Sequence, residues 1–351
     1  MRLTGRAAGR GRAARARRRK PLAAERRPRL QSWPSRSASA AAALPARAAP
    51  GPRPVRTTAI ASPAAPLPNP APTFVLVHGS GSSSFMWTSI QRELALLGHR
   101  SLALDLPGHG LDAQYPAAYQ APQDLDAWAA EPSTLSGVTL EDNADMVVDT
   151  VRRLAGHGPV VLVGASLGGT AVSVAGNRVP DLVDGLVYIS AWSCVTRANP
   201  IEYFGEPEFA DNLMGPLAAL NVGDAAALGA GRANYRTADP ELLAALKAAI
   251  MADVSDERFR AFLNILQPDE SLAVMTGDAR VEAGTWGTIP RGYIRLTGDR
   301  TLPIAMQDRL IAEADALTPD NPYKVRTLDS SHAGFVYRAA EVAAMLAELA
   351  G

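Results

Sequence analysis

Ten residues constrain this chain more than any others: Val160-Val161-Leu162-Val163-Gly164-Ala165-Ser166-Leu167-Gly168-Gly169. They contain Gly-x-Ser-x-Gly, a pattern that is weak alone and strong in context. A β-branched apolar run, Val160 to Val163, leads in. A small-residue segment suited to a tightly packed helix, Gly168 to Asn177, leads out. Strand, sharp turn and helix make the setting that a nucleophile elbow requires. Such a turn puts the serine in a strained backbone conformation, so its neighbours Gly164 and Gly168 must be small. The same strain lifts Oγ above the C-terminal edge of a sheet, beside the positive end of a helix. The competing reading is a glycine-rich strand-to-helix turn with an incidental serine.

Charge divides the chain. The formal net charge of the 351 residues is +0, yet residues 1–60 hold 15 Arg and one Lys against one Glu, leaving an acidic body. The leader is mostly Ala, Arg, Pro and Ser, so it cannot bury enough apolar surface to offset chain entropy. Disorder is expected for residues 1–72, with Ser62 to Pro72 a semi-extended, proline-rich linker. The leader reads in three ways: a basic, acid-poor transit peptide, a poor export signal around Ala40 to Leu44, or a functionless stretch translated from too early a start. A cytoplasmic location is the expectation, and export or organelle targeting is the alternative. Only Trp33 interleaves the basic residues, so no nucleic-acid partner is assigned. No apolar run reaches transmembrane length, and no membrane partner is assigned. Cys194 is the only cysteine, which excludes an intramolecular disulfide and reads as a packed thiol. The oligomeric state is not legible.

The body, residues 73–351, reads as alternating strands and helices. Thr73 to Val77 is a continuous apolar strand, of the kind covered on both faces, running into His78-Gly79-Ser80-Gly81. Trp87, Ile90, Leu94 and Leu97 have helical spacing, and Gly98 stops that helix. Ser101 to Asp105 is a second strand. The stretch 111–137 has no period and is expected to be an irregular surface excursion. Thr139-Leu140-Glu141-Asp142 opens a helix as a capping box, with Leu140, Val147, Val151 and Leu154 on its buried face. After the elbow, Gly185 to Ser190 is the next strand. This alternation predicts βαβ units and a mostly parallel central sheet with helices on both faces. From about 193 to 287 it stops. Asp239-Pro240 and Ser255 open helices there, no strand signal intervenes, and the segment reads as a helical lid insertion. The stripe Phe259, Phe262, Leu263 and Leu266 reads as plain core packing rather than ligand contact. Strands resume at Gly292 to Thr297 and Tyr323 to Leu328, and Val342, Met345, Leu346 and Leu349 mark a closing helix.

A serine hydroxyl needs a general base, usually a histidine oriented by a carboxylate. On a parallel α/β sheet with this elbow the chain order is serine, acid, histidine. The only histidine after Ser166 is His332, in a loop between the last strand and the last helix. Thr297-Gly298-Asp299 places Asp299 after the preceding strand, where the acid belongs. An oxyanion hole takes one N–H from Leu167 and another from the loop His78-Gly79-Ser80. His78 and His109 sit in glycine turns and suit structural roles, while His99 and His157 sit beside glycine at helix ends as caps. No metal constellation, P-loop lysine or dinucleotide fingerprint is present, so no cofactor is expected.

The body resembles the α/β hydrolases, and in detail the plant methylesterase and hydroxynitrile lyase family with its bacterial relatives. The matching stretches are Phe74 to Gly79, Val161 to Gly169, Gln267-Pro268-Asp269-Glu270, and Tyr293 to Asp299 running on to Pro303 and Gln307. The resemblance implies an α/β-hydrolase fold, a triad of Ser166, Asp299 and His332, and oxyanion donors at Ser80 and Leu167. Lyases of that family carry Thr where Gly79 stands and Lys directly after the catalytic histidine, where this chain has Ala333. Both positions are esterase-like. The chain departs from the family in having Ala165 where esterases usually have His, and in a longer 111–137 excursion. The expected activity is hydrolysis of a small to medium apolar carboxylic ester or lactone through an acyl-enzyme. A carbon–carbon lyase and a non-catalytic ligand receptor are the rivals. If the composition argument for the leader holds, deleting residues 1–69 leaves the melting temperature unchanged in a calorimetric scan.

Overall fold

Continuous apolar runs become the buried strands of one parallel sheet. The computed structural model describes residues 71–351, and the readings of the leader lie outside the described residues. Eight strands occur among them: β1 (Thr73–Val77), β2 (Arg100–Ala103), β3 (Val160–Ala165), β4 (Gly185–Ile189), β5 (Ala230–Arg232), β6 (Asp269–Ser271), β7 (Arg291–Leu296) and β8 (Lys324–Leu328). Six form a sheet in the order β2-β1-β3-β4-β7-β8, every neighbouring pair parallel. The central strands β1, β3 and β4 are buried at every position, while β2 and β8 at the edges are partly exposed.

Because side chains alternate along a strand, each central strand feeds two cores. Val75, Val77, Leu162 and Tyr188 meet the helices Leu140–Leu154, Gly168–Arg178 and Ile304–Leu317 on one face. Phe74, Leu76, Val161, Val163 and Ile294 meet Thr88–Leu96 and Ala339–Leu349 on the other. The capping box forms as expected: the Thr139 amide donates to Asp142 Oδ2 (2.8 Å), and the Asp142 amide donates to Thr139 Oγ1 (3.2 Å).

Two stretches differ from the sequence reading. The 111–137 excursion contains a helix, Leu125–Ala130, and buries Tyr119 and Trp128 against each other at 4.5 Å between ring centroids. Its small core is too short to show a period. The chain between β4 and β7 has the expected helices, Pro240–Ile250 capped by Asp239 and Asp256–Leu263 capped by Ser255. It also holds a two-stranded antiparallel ribbon, β5 with β6, in which Arg232 pairs with Asp269. Three-residue strands carry no readable alternation.

That ribbon is pinned by a buried ion pair. Arg232 is 2% exposed. Its Nε and Nη2 each donate to the Asp269 carboxylate at 2.8 Å, and its Nη1 donates to the carbonyls of Trp128 and Glu131. The guanidinium thereby joins the excursion to the insertion. Arg232→Ala strands a buried carboxylate, and urea denaturation is expected to show a loss of about 3–5 kcal/mol.

Candidate active site

Strand order creates the site. The chain leaves β1 for β2 on one side and returns to β3 on the other, so the C-terminal ends of β1 and β3 flank a topological switch point. Their register pairs Val77 with Gly164. The next residues, His78 to Ser80 and Ala165 to Leu167, therefore run side by side.

Ser166 has φ 51, in the left-handed region. It is held there by contacts that need glycine neighbours. A Cβ on Gly164 would lie 2.9 Å from Gly169 Cα, and one on Gly168 would lie 2.4 Å from the His78 carbonyl. The Ser166 amide donates to Ile189 O at 3.3 Å, and its carbonyl accepts from Trp192 and Gly169 at 3.1 Å each.

Three distant residues converge on the elbow. His332, in the loop after β8, has Nε2 3.0 Å from Ser166 Oγ. Its Nδ1 lies 2.5 Å from Asp299 Oδ2, in the loop after β7. A neutral imidazole fits both contacts, donating from Nδ1 to the carboxylate and accepting at Nε2 from the hydroxyl. Asp299 is 2% exposed and fully occupied. Its Oδ1 accepts from the amides of Thr301 (2.7 Å) and Leu302 (2.8 Å), and its Oδ2 accepts from Ser190 Oγ (2.6 Å). Ser190, just past β4, is the other non-glycine residue with positive φ among those described, at 39. The sequence reading missed it, since a serine at a strand end carries no signal of its own. Ser80 and Leu167 both border the cavity above Ser166. Among the described residues no hydrogen bond occupies the amide of either.

The insertion braces the loops that carry His332 and Asp299. The Ala333 amide donates to Ile250 O at 2.8 Å, and Thr301 Oγ1 donates to Ala249 O at 3.1 Å. The Asp253 carboxylate accepts from Ser330 Oγ at 3.1 Å and from Ser331 Oγ. Sequence reasoning missed Asp253 as well.

Above Ser166 opens a cavity of about 630 Å³. Its walls are mostly apolar and include Trp192, Phe204, Phe209, Met214, Leu217 and Phe335. The Phe259 stripe is core as expected, with all four members buried. Phe262 and Leu266 also face the cavity, so core packing and cavity lining are not alternatives there.

His78 and His109 lie behind the loop after β1, with ring centroids 4.8 Å apart. His78 Nδ1 donates to Gly79 O (2.9 Å), and its Nε2 accepts from the Leu106 amide (3.2 Å). That pattern needs a neutral ring. Burial, with His109 adding to it, pushes its pKa down to about 4. His109 is the opposite case. Burial opposes its charge, but Glu270, with Oε2 3.5 Å from His109 Nε2, outweighs burial and raises the pKa. Glu270 is likewise opposed by burial and lowered by His109. Of the histidines expected as caps, His99 acts through its backbone and not its ring. His99 closes its helix through its backbone amide, to Leu94 O at 2.9 Å, while its ring packs edge-on against Phe74. Cys194 is a fully buried thiol whose pKa burial raises.

A parallel α/β sheet with a serine elbow, a loop histidine and a buried loop aspartate defines the α/β-hydrolase class. The family model described as alpha/beta hydrolase family matches residues 74–345, and the chain belongs to that family. Its relatives are ester hydrolases by name. Methylesterase 2 of Arabidopsis thaliana is 29% identical over 140 residues, a match spanning 40% of this chain and 46% of that protein. The pyrethroid hydrolase of Sphingobium wenxiniae is 27% identical over 278 residues, 79% of this chain and 86% of that one. The crystal structure of a pyrethroid hydrolase from Sphingobium faniae superposes with a TM-score of 0.62 at 24% identity, covering 80% of this chain and 97% of that one.

The two histidines behind the β1 loop fix a pH dependence. His78 has a folded pKa below its unfolded value, so from about pH 6.5 down to about 4 the unfolded chain binds a proton that the folded chain does not. Stability falls with acidification across that window. His109 is raised, so its contribution is complete below 6.5 and is lost only as pH rises through its folded pKa. His78→Gln, which cannot titrate, is expected to flatten the plot of unfolding free energy against pH between 6.5 and 4.

Proposed function

We propose that the chain is a serine carboxylic-ester hydrolase acting on a small to medium apolar ester or lactone through an acyl-enzyme. The observation that carries this reading is the unbroken Ser166–His332–Asp299 chain of hydrogen bonds at the floor of an apolar cavity. His332 Nε2 takes the Ser166 proton as Oγ attacks the carbonyl carbon. The amides of Ser80 and Leu167 hold the negative oxygen. His332 then returns the proton to the departing alkoxide, and water repeats the sequence on the acyl group. Asp299 keeps the imidazole in the required tautomer and offsets its charge when it protonates. Relatives named methylesterase and pyrethroid hydrolase support an ester as the substrate. A cavity of about 630 Å³ is within the usual range for small-molecule sites.

The lyase alternative is disfavoured at two positions. A Cβ at Gly79 would lie 2.8 Å from Ser166 Cβ, so the threonine of the lyases requires the elbow to shift. Ala333 borders the cavity and supplies no cation for a leaving cyanide.

A fluorophosphonate is expected to label Ser166, and Ser166→Ala to abolish labelling and p-nitrophenyl ester turnover together. His332→Ala costs nearly as much, because members of one catalytic unit are non-additive. Asp299→Asn lowers turnover by about 10³–10⁴. Near wild-type turnover in Asp299→Asn would mean that the acid is another residue. Mandelonitrile cleavage by the wild type, suppressed in Ser166→Ala, would favour the lyase, and ligand binding without turnover would favour a receptor.

A further inference from the structure

The loop that carries Ser80 is gripped from behind by the insertion. The amide of Gly81 donates to Glu270 Oε2 at 3.0 Å, and the carbonyl of Gly81 accepts from the Gln267 amide at 2.8 Å. One residue on, the carbonyl of Ser82 accepts from Gln267 Nε2 at 2.8 Å. Both gripping side chains are buried, Gln267 at 3% and Glu270 at 7% exposure. Gly81 itself has φ +60, and a Cβ there would press on the Gln267 carbonyl at 3.1 Å, so the loop and the strap approach as closely as backbone allows.

The strap is itself anchored. Asp269, between Pro268 and Glu270, is the carboxylate clamped by Arg232. Glu270 Oε1 accepts from the Ser271 amide at 3.1 Å, and Oε2 faces His109 Nε2. His109 Nδ1 donates to Pro107 O at 3.1 Å, so a proton on Nε2 as well makes it an imidazolium opposite the carboxylate. An ionised carboxylate is therefore held in place, and it accepts a charge-assisted hydrogen bond from the peptide that joins Ser80 to Gly81. The strap fixes Gly81 through both its N–H and its C=O. That leaves the Ser80 amide, one peptide away, little freedom to turn from the cavity.

We propose that Glu270, assisted by Gln267, is a positioning residue that sets the direction of the Ser80 amide, and that the insertion thereby builds one half of the oxyanion hole. This rests on the reading of Ser80 as an oxyanion donor in an ester hydrolase. Glu270 touches no reacting atom and acts through Gly81. A defect there appears when negative charge develops on the substrate oxygen, and ground-state binding is spared.

The test compares wild type, Glu270→Ala, Glu270→Gln and Gln267→Ala by kcat and KM on a p-nitrophenyl ester, and by the inhibition constant of a trifluoromethyl ketone that mimics the tetrahedral intermediate. Glu270→Ala is expected to lower kcat by about 10²-fold, the order of losing one oxyanion donor, with KM little changed and the ketone weakened by a similar factor. Glu270→Gln keeps an oxygen to accept from Gly81 and is expected to recover most of that loss. If Glu270→Ala does not fold, Gln267→Ala carries the test, with an expected fall of about 10-fold in kcat at unchanged KM. Wild-type kcat in the folded alanine variant overturns the proposal. So does a loss confined to KM, or a glutamine variant as impaired as the alanine one. A wild type that neither turns over esters nor reacts with a fluorophosphonate sinks the hydrolase reading itself, and the proposal falls with it.

Discussion

The left-handed backbone at Ser166 is the constraint on which the rest of the site depends. Such a conformation costs a non-glycine residue about 1–3 kcal/mol and persists only where its surroundings over-determine it. Here Ile189, Trp192 and Gly169 hold both its amide and its carbonyl. Gly164 and Gly168 let the neighbouring backbone come within distances that a side chain would forbid. The next strand end repeats the device. Ser190 also turns left-handed, and its hydroxyl meets the carboxylate that holds His332. Two adjacent parallel strands therefore end in strained serines, one presenting a hydroxyl to His332 and the other fixing the partner of that histidine.

Charge in the interior does what apolar packing cannot. The pairs Arg232–Asp269 and His109–Glu270 are buried; the second joins the insertion to the loop after β2, and the first, internal to the insertion, holds the guanidinium that reaches the carbonyls of Trp128 and Glu131. A buried pair adds little net stability over an apolar replacement, but removing one partner is costly. Such pairs therefore specify where the insertion sits more than they strengthen the fold. Exposed pairs such as Arg152–Asp149 and Arg326–Glu348 lie in solvent, where water and salt screen them and little stability is gained.

These differences explain what the sequence discloses. The strands are legible because a sheet covered on both faces demands unbroken apolar runs, as in Phe74 to Val77 and Val160 to Val163. Ser166, Asp299 and His332 are legible because the fold fixes their order and places each after a strand. Ser190, Asp253 and Glu270 are not, because a polar residue has no period and its partner can be anywhere. Asp253 reaches Ser330 across 77 positions, and Glu270 reaches Gly81 across 189. The β5–β6 ribbon escapes for a related reason: what fixes it is a pair between residues 37 apart, not a pattern along either strand. The Phe259 stripe shows the limit of choosing between core packing and cavity lining, since Phe262 does both.

The insertion supplies cavity walls and loop braces from the same residues. Leu266 borders the cavity, and the next residue, Gln267, holds Gly81 and Ser82. Ile250 borders the cavity through its side chain, while its carbonyl accepts the amide of Ala333. Enlarging the cavity at either position therefore disturbs the loop bearing Ser80 or the loop bearing His332. The opposite wall is different. Phe204 and Phe209 stack on each other at 4.6 Å and lean on Trp192, and neither braces a loop that carries Ser80, Asp299 or His332. A change of side chain at Phe204 or Phe209 reaches Ser166 only through Trp192, whose amide donates to the Ser166 carbonyl. At Leu266 and Ile250, a change of preference and a change of geometry at Ser166 come together.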